Sequence, residues 1–302
     1  MPILIFKIYL RTLVLLLLLS SVKTPAQAEE DIQALPIGFM EYTFSDVSIE
    51  DTKVAIDFYL QELFHHTGNK PQAVIFSQLN NLRQALINKE IDLISLSSID
   101  FMRLQPDSLI TPFLARIQTN DKLYDTYVLL THTNKSWTTL KDLENKSLRV
   151  LHNDDLGAYW LDVELAKARL PKSNQYFAKV TQDNRNPQSI LAVFFGQADA
   201  CLVNSATFEA MSKLNPQIGQ KLIPLLTSPP FISGFLCAHA QIDTQRKTKL
   251  RDASLKLPES SDGAQVARLF NTKFVIPFQP EHLKTVEDLF VQYKAYYGTT
   301  NP

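Results

Sequence analysis

The feature that most constrains this chain is a phrase it states twice. Ala85-Leu86-Ile87-Asn88-Lys89-Glu90-Ile91-Asp92-Leu93-Ile94-Ser95-Leu96-Ser97-Ser98 returns 107 positions later as Ala192-Val193-Phe194-Phe195-Gly196-Gln197-Ala198-Asp199-Ala200-Cys201-Leu202-Val203-Asn204-Ser205 (85 to 192, 92 to 199, 98 to 205). Each copy reads as the end of an amphipathic helix, a tight polar turn, an Asp, and a short apolar run that stops at small polar residues. That is an α-β unit used twice. In an open α/β sheet, ligands sit beyond the carboxyl ends of the strands, which is where Ser97-Ser98 and Asn204-Ser205 fall. Two similar lobes facing one cleft are the natural expectation, and the pattern speaks for binding more clearly than for chemistry.

The surrounding sequence fits this scheme. Leu35 to Met40 predicts a strand, and Glu41 to Glu50 a polar loop. A helix is expected over Asp51 to His66, with Ile56, Tyr59, Leu60 and Leu63 on one face. Ala73 to Phe76, the helix Leu79 to Asn88 and Leu93 to Leu96 complete a strand-helix-strand-helix-strand run, which argues for a parallel sheet with right-handed crossovers. The order recurs in Leu148 to Leu151, Ala158 to Arg169, Phe177 to Val180, Gln188 to Phe195 and Ala200 to Val203. Two extended runs, Leu123 to Thr131 and Ile232 to Ala240, can carry the chain between lobes and make a two-strand hinge. Helices around Thr244 to Leu257, Gly263 to Phe270 and Pro280 to Tyr297 would complete the first lobe. The expected division is therefore residues 29–125 with 239–302 as lobe one and 126–238 as lobe two.

The amino-terminal residues read as a secretory signal peptide, residues 1–28. Lys7 and Arg11 precede an apolar block from Thr12 to Val22, and Ala26-Gln27-Ala28 supplies a small-x-small cleavage site. An uncleaved anchor is the other possibility, but the apolar block falls short of the roughly 20 residues that a spanning helix needs. Without Lys7, Arg11 and Lys23 the basic residues fall from 30 to 27 against 31 acidic ones, so no basic nucleic-acid surface is indicated. Cys201 and Cys237 both sit in apolar runs and read as buried thiols unless their strands adjoin.

The order of elements resembles the phosphate/phosphite/phosphonate (PhnD-like) family of periplasmic solute-binding proteins of ABC transporters. The matching pieces are Ala85 to Ser98, Tyr127 to Leu130 followed by Leu140 to Val150, Ile190 to Val203, and the closing Leu283 to Leu289. The resemblance implies an α/β, bilobal type II periplasmic-binding-protein fold, with two parallel-rich sheets flanked by helices. One loop departs from the family pattern. Where the family has a Ser-rich loop with a Gly that cradles a phospho group, this chain has His152-Asn153-Asp154-Asp155-Leu156-Gly157-Ala158. A helix amino terminus favours an anion, and two carboxylates placed there work against one.

Nine residues are candidates for ligand contact: Glu41, Tyr42, Ser97, Ser98, Tyr127, Asp154, Asp155, Asn204 and Ser205. One of Asp154 and Asp155 is expected to cap the following helix, leaving the other to select a cationic or zwitterionic ligand. Ser97, Ser98, Asn204 and Ser205 suit orientation of a polar ligand, and capping of the helices after them is the competing role. Glu41 and Tyr42 follow the first strand, where Tyr42 can stack on a ligand cation or pack down on the loop. Strand alternation allows only one of Tyr124 and Tyr127 to face the cleft. Phe231 and Ser233, at the second crossing, are weaker candidates. The six histidines form no metal-ligand set, since His65 and His66 point about 100° apart on a helix. No cofactor and no catalytic residue is indicated.

The expected function is that of a secreted, periplasmic, monomeric solute-binding protein, not an enzyme. It would close on a small polar or zwitterionic ligand, which a phosphonate-like compound would satisfy, and deliver it to an ABC transporter permease subunit. The alternative is a ligand-sensing module on the same fold that signals to a sensor kinase or another membrane receptor.

Overall fold

The computed structural model describes residues 33–44, 49–64, 69–256, 264 and 271–298. The expected signal peptide, the pair His65-His66 and all of the expected helix Gly263 to Phe270 except Ala264 lie outside the described residues. In chain order the elements are β1 (Gln33–Met40), α1 (Ile49–Phe64), β2 (Asn69–Phe76), α2 (Leu79–Ile87), β3 (Leu93–Ser97), α3 (Ser98–Leu104), β4 (Ile110–Gln118), β5 (Tyr127–His132), β6 (Ser147–Leu151), α4 (Asp155–Lys167) and α5 (Ser173–Tyr176). They continue with β7 (Lys179–Asp183), α6 (Asn186–Phe194), β8 (Ala200–Asn204), α7 (Ser205–Leu214), α8 (Pro216–Lys221), β9 (Leu222–Thr227), β10 (Gly234–His239), α9 (Thr244–Lys256), β11 (Thr272–Pro277) and α10 (Lys284–Tyr297).

Strand pairing sorts these elements into a six-stranded sheet, β11-β4-β10-β3-β1-β2, and a five-stranded sheet, β7-β6-β8-β5-β9. Both sheets are mixed. Parallel pairs come from the β-α-β units, as at β1 with β3, β6 with β7 and β6 with β8. Antiparallel strands continue each sheet: β10 beside β3, then β4 and β11 in the first, and β5 and β9 in the second. Strand β4, which the sequence pattern passes over, forms the middle of that antiparallel arm. Strand β10 pairs with β3 and β4 from Phe235 to Ala238, so its residues belong to the first sheet and the return crossing precedes Gly234. This lies ahead of the 238/239 boundary expected from sequence.

The two copies of the repeated phrase fold alike at the level of single hydrogen bonds. Helix α2 ends with Lys89 in the left-handed region at φ 60°, and α6 ends with Gly196 there at φ 72°. Glu90 N–H donates to Ala85 C=O at 2.9 Å and Gln197 N–H to Ala192 C=O at 2.8 Å. These reversed bonds close the helix as a Schellman turn and send the chain into β3 and β8. The repeated Asp has a structural role in both. Asp199 accepts from Ser147 N–H at 2.9 Å, tying β8 to β6, while Asp92 pairs with Arg246 at 3.1 Å, docking α9.

The core follows from strand alternation. On β5 and β8, Tyr127, Leu129, Ala200 and Leu202 face one side, and Val128, Leu130, Cys201 and Val203 face the other under α6. On the first sheet, Leu35, Ile37, Phe39 and Leu93 pack under α1 and α9 through Ile56, Leu60, Phe64 and Leu250. The largest cluster is shared by both sheets and joins Leu86, Ile94, Leu96, Phe101 and Phe235 to Leu129, Trp160, Phe290 and Tyr293. Cys201 and Cys237 are buried free thiols on strands of different sheets.

Candidate functional site

The chain crosses between the sheets twice, once from β4 to β5 and once from β9 to β10. The two crossings meet at Asp125 and Phe231, which exchange both backbone hydrogen bonds, at 2.7 and 2.8 Å. The last residues of the repeated phrase anchor them: Ser98 N–H donates to Ser233 C=O at 3.0 Å, and Ser205 N–H donates to Thr126 C=O at 2.7 Å. The Ser98 hydroxyl also donates to the Ile232 carbonyl. Ser98 and Ser205, both expected to contact a ligand, lie outside the lining of the cleft, Ser98 because its hydroxyl is engaged by the crossing. Glu41 is also outside it, with its side chain exposed at the start of a 3-10 turn.

At the carboxyl ends of β3, β6 and β8 lies a cavity of about 360 Å³. Six of the expected residues line it, namely Tyr42, Ser97, Tyr127, Asp154, Asp155 and Asn204, together with Asp100, Arg103, Asn153, Asn186 and Ser233, among others. Ser97 and Asn204 end their strands and cap the next helices, accepting from Asp100 N–H at 3.1 Å and Ala206 N–H at 2.8 Å. Capping and exposure to the cavity therefore coexist in both. Asn204 also donates to Asp125 at 2.8 Å, linking the strand end to the crossing.

The two carboxylates after β6 divide their roles. Asp154 caps α4, accepting from Gly157 N–H at 3.2 Å, and also accepts from the Tyr127 hydroxyl at 2.8 Å. Gly157 permits this arrangement, since a Cβ there would stand 2.9 Å from the Tyr127 ring. Burial pushes the Asp154 carboxyl up to about 6, despite the opposing hydrogen bonds from Tyr127 and Gly157. Burial likewise raises the Tyr127 hydroxyl, with the Asp154 charge adding to it, so the phenol stays protonated. Tyr124 packs edge-on against His282 instead of lining the cavity.

Asp155 faces the other sheet. Its carboxylate lies 2.8 Å from Nη1 of Arg103, the residue on α3 that also pairs with Asp100 at 2.9 Å. Nη2 of Arg103 donates to the Tyr159 hydroxyl on α4 at 2.8 Å. Burial works against the guanidinium charge, but Asp155, Tyr159 and Asp100 outweigh it and the pKa is raised. Tyr42 donates to Asp100, and its hydroxyl oxygen accepts from the Ser97 hydroxyl at 3.3 Å. Burial and the Asp100 charge raise the Tyr42 hydroxyl pKa too. One hydrogen-bonded chain thus runs from Tyr42 through Asp100 and Arg103 to Asp155 and Tyr159, joining the two sides of the cleft.

Asp100 and Arg103 are the residues that sequence patterns do not single out. The available signal is their spacing: three positions apart on the helix that Ser97 caps, they share the face turned to the cleft.

A family profile described as "ABC transporter, phosphonate, periplasmic substrate-binding protein" matches residues 43–283. The chain belongs to this phosphonate-binding family. Its members are periplasmic binding components that work with ABC transporters on small-molecule ligands, and they are transport proteins, not enzymes. No curated protein matches the chain in sequence. Among solved structures, a Xanthomonas citri protein bound to ATP superposes with a TM-score of 0.68 at 12% identity, covering 89% of this chain and 100% of that one. A binding protein component of a phosphonate ABC transporter from Pseudomonas aeruginosa gives 0.65 at 15% identity, covering 90% of each chain. The PhnD1 protein of Prochlorococcus marinus in complex with methylphosphonate gives 0.62 at 17%, covering 86% of this chain and 98% of that one. These likenesses establish the type II periplasmic-binding-protein fold for this member of the phosphonate-binding family.

Proposed function

We propose that the chain is a monomeric receptor, exported by a signal peptide at residues 1–28, which closes two lobes on a small polar ligand and delivers it to an ABC transporter permease. Each sheet is the base of one lobe, and the paired crossings at Asp125 and Phe231 are the hinge. The observation that carries this reading is the cavity of about 360 Å³, because the carboxyl ends of strands from both sheets supply its walls. Tyr42 and Ser97 contact the ligand from the first lobe, and Tyr127, Asp154, Asp155 and Asn204 from the second. Binding then favours the closed form by differential affinity, with no bond broken. Family membership favours delivery to a transporter over signalling to a sensor kinase.

A thermal-shift screen of the purified protein tests this. The compounds are phosphate, phosphite, phosphonates, sulfonates, amino acids and amines. A ligand at about 100 times its dissociation constant adds about 2.7 kcal/mol to the native state, and at least one compound is expected to raise the melting temperature accordingly. A melting curve unmoved by all of them would contradict the receptor reading.

A further inference from the structure

We propose that the cleft recognises a net cation: a small molecule that carries ammonium groups and no phospho group. This rests on the receptor reading above and narrows it. Among the described residues, the lining holds three carboxylates, Asp100, Asp154 and Asp155, against one guanidinium, Arg103. His152, the remaining basic side chain there, places Nδ1 2.8 Å from Gln182 Oε1.

Several of the donors that could hold an anion are already engaged inside the protein. Arg103 gives Nη1 to Asp100 and Asp155 and Nη2 to Tyr159. The Tyr42 hydroxyl points at Asp100 and the Tyr127 hydroxyl at Asp154. At the start of α4, where an anion would meet free amides, the Asp154 carboxylate already takes the Gly157 N–H, and the Ala158 N–H makes the first bond of the helix itself, to the Asp154 carbonyl at 3.2 Å. The cap thus places a carboxylate at the helix start, a position that otherwise favours a bound anion.

Several acceptors stay open. Asn186 Oδ1 is a buried lining oxygen with no hydrogen-bond partner among the described residues. Among the described residues, Asp154 and Asp155 each direct their protein contacts through one oxygen, leaving the second available. Against these stand the amide NH2 groups of Asn153 and Asn186 and Arg103 Nε, a buried donor without a partner among the described residues, on a guanidinium whose charge is matched by two carboxylates. An ammonium group offers several donors and positive charge, which is the complement of this surface.

Calorimetric titration of the purified protein with ethanolamine, choline, putrescine, spermidine, 2-aminoethylphosphonate and methylphosphonate decides the matter. At least one phosphorus-free amine should bind tenfold or more tightly than methylphosphonate, and 2-aminoethylphosphonate should gain nothing over ethanolamine. Asp155→Asn should weaken the best amine at least tenfold and, by releasing Arg103, strengthen methylphosphonate. If either phosphonate binds more tightly than every amine, the proposal is overturned while the receptor reading stands. If none of the six binds but a phosphate, phosphite, phosphonate or sulfonate of the wider screen stabilises the protein, the cation is again excluded and the receptor reading survives. If nothing binds in either experiment, both fail together.

Discussion

At the scale of single residues, the site is organised by Asp154 and Arg103, and only the first is legible from sequence. An Asp-Asp pair before an apolar helical run announces a cap, because Asp is favoured where helix N–H groups lack partners. Arg103 carries no such mark: its role depends on Asp155, which is 52 positions away in sequence and 2.8 Å away in space. Ser98 lies outside the cavity lining for a reason the sequence does not show, since a hydroxyl at a strand end looks the same whether it faces a ligand or, as here, the carbonyl of a crossing segment. The raised pKa of Asp154 makes a testable statement. A carboxyl whose folded pKa is about 6 stabilises the protein most where it is protonated, below about pH 4, and that contribution is lost as pH rises through about 6. The unfolding free energy of wild type minus that of Asp154→Asn, measured by urea titration, should therefore fall across this window and level off above it. A difference that is flat from pH 4 to 7 would contradict the burial of this group.

At the scale of elements, the repeated phrase is legible because helix end, left-handed turn and strand each leave a residue-level trace. The turn separates the copies: Gly196 holds φ 72° without the Cβ penalty, whereas Lys89 holds φ 60° with it. A Cβ at Gly196 meets nothing within 4 Å, so backbone strain is the whole cost of adding one. Gly196→Ala is expected to destabilise by about 1 kcal/mol, and Lys89→Gly to stabilise by a similar or smaller amount. Chemical denaturation of both variants checks this, and equal effects of the same sign would contradict the match between the two turns. Strands β4 and β9 are hidden by their composition. Pro112, Arg116 and Gln118 break the alternation of the first, and Pro224 interrupts the second. Their pairing partners, β10 and β5, are set by the tertiary fold, where long-range pairing overrides local pattern.

At the scale of the whole molecule, the bilobal plan was foreseeable from the doubled α-β run, but the route of the carboxyl-terminal helix was not. Helix α10 packs against both α3 and α4. Its Tyr293 ring stacks on Tyr159 with centroids 3.9 Å apart and planes 5° from parallel, and the Tyr297 hydroxyl donates to the Asp162 carbonyl at 2.9 Å. Tyr159 in turn accepts from Arg103, so the strap made by α10 and the polar chain across the cleft share one residue. Tyr293 is buried, and Tyr293→Ala is expected to cost about 3 kcal/mol of stability by leaving a cavity against Tyr159 and Phe290. A loss below about 1 kcal/mol in urea unfolding would show that the strap adds little to the union of the lobes.

The central claim is that one small ligand is held by residues of both sheets at once. It is tested most directly by following backbone amide resonances while the tightest compound from the screen is titrated into isotope-labelled protein. Amides of Ser97 to Arg103 and of Asn153 to Gly157 should shift together, with a single dissociation constant. Shifts confined to one of these segments, or centred elsewhere in the chain, would contradict the account.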